Sequence, residues 1–266
     1  MSELEAIFFV ACLIGAAIGW GSWYIQLTRI PVAVGGLPAR SLLAATPPLC
    51  GALLLAVLTI HAAHDVRADV RYIAFYMALG AAWLYGVARG LPIVNVAPRD
   101  DAIERGNVAA AWTSAGCVAG LLLAFAGANI GDGPGFHVVL FSAMLSTIGW
   151  YAAWALWTVL TRADHAINID RDPASGMRGA GMAIGIGLIM GRAVAGTWIS
   201  ADETIVDFLR DGWPIFLLLI PSALLERQLL PRTPEDYRPA LLFGCLPALL
   251  YVGVALFGVL AVGWWS

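Results

Sequence analysis

Apolar segments of roughly 20 residues, the length that crosses a bilayer's hydrocarbon core, recur along this chain from end to end. A soluble fold cannot hide that much apolar surface and keep a wettable exterior. Composition agrees. The chain is 60% hydrophobic and 12% charged, where a soluble domain carries about a quarter of its residues as charges. The reading is all-α: a polytopic transmembrane helix bundle forming a single integral membrane domain, with the lipid bilayer as its first partner. Eight spans are expected, near 6–26, 41–63, 71–91, 108–130, 136–161, 177–199, 206–230 and 239–264.

The spans pair into hairpins on a repeating plan. Each pair is an apolar helix, a polar linker and a second apolar helix, with an arginine closing the linker: Arg40, Arg105, Arg178 and Arg238. Those arginines are 65, 73 and 60 positions apart, so the unit is about 66 residues. The candidate hairpin repeats are 1–66, 67–132, 133–203 and 204–266. Two helices return the chain to the same side, so these would be parallel repeats.

Arginine placement orients the bundle. The linkers within hairpins carry most of the arginines, while the turns between hairpins carry Arg67, Arg71 and Arg210 beside acids such as Asp65, Asp69, Asp202, Glu203 and Asp207. The linkers are expected in the cytoplasm and both termini outside. The start Met1-Ser2-Glu3-Leu4-Glu5 is acidic, unlike the basic start of a cleavable signal, so the first segment reads as the first span. Trp20, Trp23, Trp154 and Trp157 fall near inner span ends, and Trp198, Trp213, Trp264 and Trp265 near outer ends. Amphipathic rings favour the headgroup layer there.

Several chemistries are disfavoured. All 15 basic residues are arginines and the net charge is −3, which leaves no Schiff-base lysine and no basic footprint for nucleic acid. Cys12, Cys50, Cys117 and Cys245 each sit in an apolar segment with no CxxC pair, as packing residues do. No cofactor is expected. There is no HExxH or GxSxG motif, so no catalytic residue is nominated. His61, His64 and Asp65 are spaced for one helical edge, but no metal site is assigned to them without further ligands.

The candidate functional residues are charges and small side chains. Arg192 lies about two-thirds along the sixth span from Arg178, where a charge is costly and faces either a partner or a water-filled path; the alternative is reaching for the headgroups. Asp207 and Asp211 are its candidate partners. Glu226 and Arg227, near the inner end of the seventh span, are adjacent and so point apart. Glu226 can pair with an arginine of another linker or, with Arg227, reach for the interface. Gly179, Ala183, Gly187, Gly191 and Ala195, four apart, line one helix face and let a neighbouring backbone approach. Pro47 and Pro48 in the first hairpin's second helix, and Pro247 in the last's, mark interrupted helices of the kind that border transporter sites or serve packing.

The stretch Asp100-Asp101-Ala102-Ile103-Glu104-Arg105-Gly106-Asn107-Val108-Ala109-Ala110-Ala111, leading to Ala126-Gly127-Ala128, and the stretch from Ala180-Gly181 through Gly185-Ile186-Gly187-Leu188-Ile189 to Arg192-Ala193-Val194-Ala195-Gly196 carry a resemblance. Over roughly residues 71–200 the chain resembles the bacterial membrane family named domain of unknown function 350. The resemblance implies an inner-membrane bundle of hairpins and brings no activity with it. The first and last hairpins depart from the family pattern, and Gly179-Ala180 stand where the first motif has Gly106-Asn107.

Two functions follow from these features. One is a small channel or transporter with Arg192 beside its path, which would favour anions or a proton-coupled solute. The other is a structural or accessory subunit, packed as a homo-oligomer or within a larger membrane complex. A water-accessible cavity reaching Arg192 would favour the first, and a dry, closed bundle the second.

Overall fold

The computed structural model describes residues 1–30, 37–231 and 239–262. Arg232, Arg238, Trp264 and Trp265 lie outside the described residues. Among the described residues every regular element is a helix, and the single β-type contact is a bridge between Ala62 and Gly131.

Eight long helices form two layers. The first layer holds α1 (Glu3–Arg29), α4 (Val70–Ala88), α6 (Phe136–Thr161) and α10 (Pro214–Leu229). The second holds α2 (Leu37–Ile60), α5 (Val108–Gly127), α8 (Pro173–Ala193) and α11 (Leu246–Val262). Within the second layer the order is α2–α5–α8–α11, each packed on the next. Short helices α3 (His64–Ala68), α7 (Ala163–Asn168) and α9 (Ala201–Asp211) lie between.

Specific contacts fix the directions. Phe8 meets Phe75 with tilted rings, and Trp20 Nε1 donates to the Ala81 carbonyl, so α1 and α4 run parallel. Trp83 donates to Thr147 and Tyr151 donates to the Val87 carbonyl, so α4 and α6 do too. The α8 glycines meet α5 and α11 in ascending order on both sides, which makes that layer parallel as well. Each chain pair is thus an antiparallel hairpin laid beside the previous one.

Among the described residues seven stretches are long and apolar enough to cross a membrane: α1, α2, α4, α5, α6, Ala201–Leu229 and Leu241–Ala261. This is a multi-pass membrane protein, and side chains such as Ile7, Ile18, Leu49, Phe216 and Phe257 are exposed to lipid. The expected sixth span, 177–199, is not among the seven. Its helix is α8, shifted toward the N-terminus. Asp172 caps it by accepting from the Ala174 and Ser175 amides, with Pro173 in the first turn, where its missing N–H costs nothing. It ends at Ala193, ahead of Gly196 at φ +150°. α8 is too rich in glycine and arginine to read as apolar because protein, not lipid, surrounds it: 17 of its 21 residues are buried. At about 31 Å it runs the full length of α5.

The expected seventh span, 206–230, is broken. α9 closes at Asp211, and Gly212, Trp213 and Pro214 turn the chain into α10. α9 has no buried residue and presents Ile205, Val206 and Leu209 outward, the habit of an amphipathic helix lying at the interface.

Candidate functional site

The centre of the molecule is a glycine seam. On α5, a methyl group placed on Gly116, Gly120 or Gly127 would collide with the α8 backbone at Ala180, Ala183 or Gly191. From the other side, one placed on Gly176, Gly187 or Gly191 would collide with the α5 backbone at Ala109, Gly120 or Leu123. Gly179 sits against the Thr113 hydroxyl, 3.0 Å from where a Cβ would stand. The two backbones therefore run in contact along most of their length, with small side chains such as Thr113 and Ala180 at the joint. The packing partners are 63 to 68 positions apart, and the capping residues Asn107 and Asp172 fall within that range, at 65. That register replaces the one drawn from Arg105 and Arg178, and it sets Asn107 against Asp172 rather than Ala180.

Both helices end at one face of the bundle, around a cavity of about 370 Å³. Gly131, at φ +108°, and Gly196 let the two exit segments touch: the Gly196 amide donates to the Ile130 carbonyl and the Trp198 amide to the Asp132 carbonyl. A Cβ on Gly131 would collide with Gly196. The wall carries four carboxylates, Glu5, Asp65, Asp132 and Asp207, and no arginine or histidine. Asn129, 6% exposed, is also part of the wall. Its Nδ2 donates to the Phe125 carbonyl at 2.9 Å, and its Oδ1 accepts no hydrogen bond among the described residues. Buried acceptors are nearly always paired.

Arg192 lies just below this cavity without lining it; Ala193, Val194 and Ala195 do so instead. Its Nη1 is 3.7 Å from Asp211 Oδ2, and Nη1 also donates to the Ala195 carbonyl at 3.4 Å. The guanidinium is buried against an acid of α9 rather than stretched toward the headgroups.

At the opposite end, Glu226 and Arg178 are both fully buried. Arg178 Nε donates to both Glu226 oxygens at 2.8 and 2.9 Å, and Tyr251 Oη donates to Oε1 at 2.9 Å. Arg178 Nη2 donates to Ser175 Oγ. The pair ties α8, α10 and α11 together. Glu226 does not reach the interface. Its neighbour Arg227 is exposed and donates to the Leu160 carbonyl at 3.3 Å.

The linker acids and bases form local pairs. Arg105 meets Asp101 at 2.7 Å, and Arg99 meets Glu104 at 3.1 Å and Asp100 at 4.0 Å. Asn107 caps α5 and donates to the Ile167 carbonyl at 2.8 Å. A second recess of about 290 Å³ lies at this end, between Trp23, Tyr85, Arg89 and Arg99.

The prolines explain themselves in packing. A helical proline leaves the carbonyl four residues earlier without its N–H. For Pro47 and Pro48 these are Leu43 and Ala44, which accept from Trp23 Nε1 at 3.2 Å and Tyr24 Oη at 2.9 Å. For Pro247 it is Phe243, which accepts from Arg178 Nη1 at 2.5 Å. Proline-freed carbonyls thus dock neighbouring elements, and they do not face either recess. The inner-end tryptophans likewise serve the interior. Trp154 and Trp157 are buried, and Trp20 and Trp23 donate to backbone carbonyls, so all four rings pack within the bundle.

No family model, curated protein or solved structure matches this chain. The cavity residues were missed as a group in the sequence. Asp65 stood out as a turn acid beside His61 and His64 and Asp207 as a candidate partner of Arg192, neither as part of a cavity; Glu5, Asn129, Asp132, Tyr72, Tyr76 and Trp198 had no shared spacing, coming from different elements. Tyr251 had no signal beyond being a hydroxyl in an apolar helix.

Proposed function

We propose that this chain is a solute-binding protein of the bacterial inner membrane, of the carrier or channel class, with its chamber open on the outer face. The observation that carries this reading is the 370 Å³ polar cavity at the end where α5 and α8 terminate; cavities of about 300–1,000 Å³ suit small organic ligands. Arginine placement supports the outward orientation. The opposite end holds Arg89, Arg99, Arg105 and Arg178, while Arg71 and Arg210 at the cavity end are paired with Asp69 and with Asp207 and Asp211. The resemblance to the domain of unknown function 350 family adds an inner-membrane setting. Arg192 supports the chamber from beneath by holding α8 to α9, in place of the anion-attracting role expected of an arginine on the path.

The test is solute flux in proteoliposomes made with the wild-type chain and with Arg192→Leu. Flux that falls in the variant while its melting profile survives supports transport through this region. A second reading, an accessory subunit, draws on the α5–α8 seam, whose touching backbones close the bundle beneath the chamber. Absence of flux across ions and organic solutes of both charges, together with co-purification of a stoichiometric membrane partner, would favour it.

A further inference from the structure

The chamber's lining is chemically one-sided. Glu5, Asp65, Asp132 and Asp207 reach it from α1, α3, the α5–α6 turn and α9, and no cationic side chain lines it. Arg210 meets Asp207 at 2.7 Å, but from outside the chamber, with an exposed side chain. In a recess walled by low-dielectric protein, carboxylates of one sign focus their field on the space between them.

The remaining lining is aromatic. Tyr72, Tyr76 and Trp198 stand around the same space. Glu5, Asp65, Tyr72 and Tyr76 all line the chamber, so acids and rings share one neighbourhood. Rings beside carboxylates suit a cation that is both charged and apolar. A bare metal ion fits poorly. Among the described residues no three His, Cys, Asp or Glu side chains converge as a metal would require, and 370 Å³ is far more than one ion fills.

We infer that the outer chamber binds an organic ammonium ion, held by Asp132 and Asp207 with its alkyl part against Tyr76 and Trp198. This rests on the chamber being a solute site, as proposed above. An ammonium group can come from a free solute or from an ethanolamine lipid headgroup, and the chemistry at the site is the same.

The experiment is calorimetric titration of the full chain in maltoside detergent, which carries no ammonium of its own, with choline, its uncharged tert-butyl analogue and glutamate. Choline is expected to bind and the other two not. Asp132→Asn and Asp207→Asn should each weaken choline by about threefold to fivefold, as for one partly exposed charge pair. Trp198→Leu should weaken it by a similar factor. Each variant is compared by its melting profile, and Asp202→Asn, on the outward side of α9, should leave choline binding unchanged. Repeating the titration in nanodiscs separates the two sources. A tenfold weaker choline affinity in phosphatidylethanolamine than in phosphatidylglycerol names the lipid headgroup as occupant, and equal affinities name a free solute. Binding of the uncharged analogue or of glutamate in place of choline would overturn the cation assignment while leaving the chamber a solute site. Binding of none of the three, with flux of some other solute retained, would overturn it equally. Loss of both binding and flux would remove the chamber reading itself.

Discussion

Arg178 and Glu226 show what a charge needs in order to live inside a membrane bundle. Each is fully buried, and each is satisfied several times over, by one another, by Ser175 and Tyr251 and by a carbonyl that Pro247 has released. Removing one partner strands the other. Glu226→Leu should therefore cost about 3–5 kcal/mol, the usual penalty for an uncompensated buried charge. The double variant Arg178→Met, Glu226→Leu should recover most of that loss, because neither charge remains. Thermal unfolding in detergent of the two singles and the double checks this; a double variant as unstable as the sum of the singles would mean the pair holds no more than its own packing. Arg192 is the milder case. Its partner Asp211 stands 3.7 Å away on a surface helix, so Asp211→Asn should destabilise less than Glu226→Leu in the same assay.

Among the helices, the seam and the prolines set opposite tolerances. Gly116 and Gly120 have the α8 backbone where a methyl group would go, whereas Gly51 and Gly253 have open space. Gly120→Ala should lower stability by about 1–3 kcal/mol, the cost of forcing atoms into a packed contact, with Gly51→Ala near neutral; their melting temperatures in one detergent make the comparison. Trp23→Phe keeps the ring but deletes the donor to the Leu43 carbonyl that Pro47 leaves free, and should cost about 1 kcal/mol. Sequence alone placed α5 well, because residues 108–127 are apolar and Asn107 caps them. It misplaced α8 for a physical reason. Hydropathy measures liking for lipid, and a helix sheathed by other helices can be built from glycine, alanine and two arginines. The spans drawn from hydropathy took no account of the Asp172-Pro173 start or of the Gly212-Trp213-Pro214 break that divides the expected seventh span.

For the whole molecule, the recurring apolar segments made the all-helical bundle legible, whereas its two-layer order was not, and the spacing that relates α5 to α8 is that of their caps and contacts rather than of the linker arginines. The chamber was not legible. Its acids and rings come from residue 5 to residue 207, and only the meeting of the exit segments at Gly131 and Gly196 gathers them. Orientation is open to direct measurement. In a cysteine-free background, Asp202→Cys at the chamber end should react with an impermeant maleimide added to intact cells, and Asp100→Cys should react only after lysis. The reverse pattern would turn the chamber toward the cytoplasm.

The seam between α5 and α8 joins the first half of the chain to the second, backbone against backbone. Every single-base change in a glycine codon that alters the residue adds at least a methyl group. Neither helix can drift alone at those positions, because there is no smaller residue to which its partner could retreat. The two halves of the gene are thus bound to a common history: sequence can wander freely on the lipid-facing helices, while along this one line the chain has no neutral step to take.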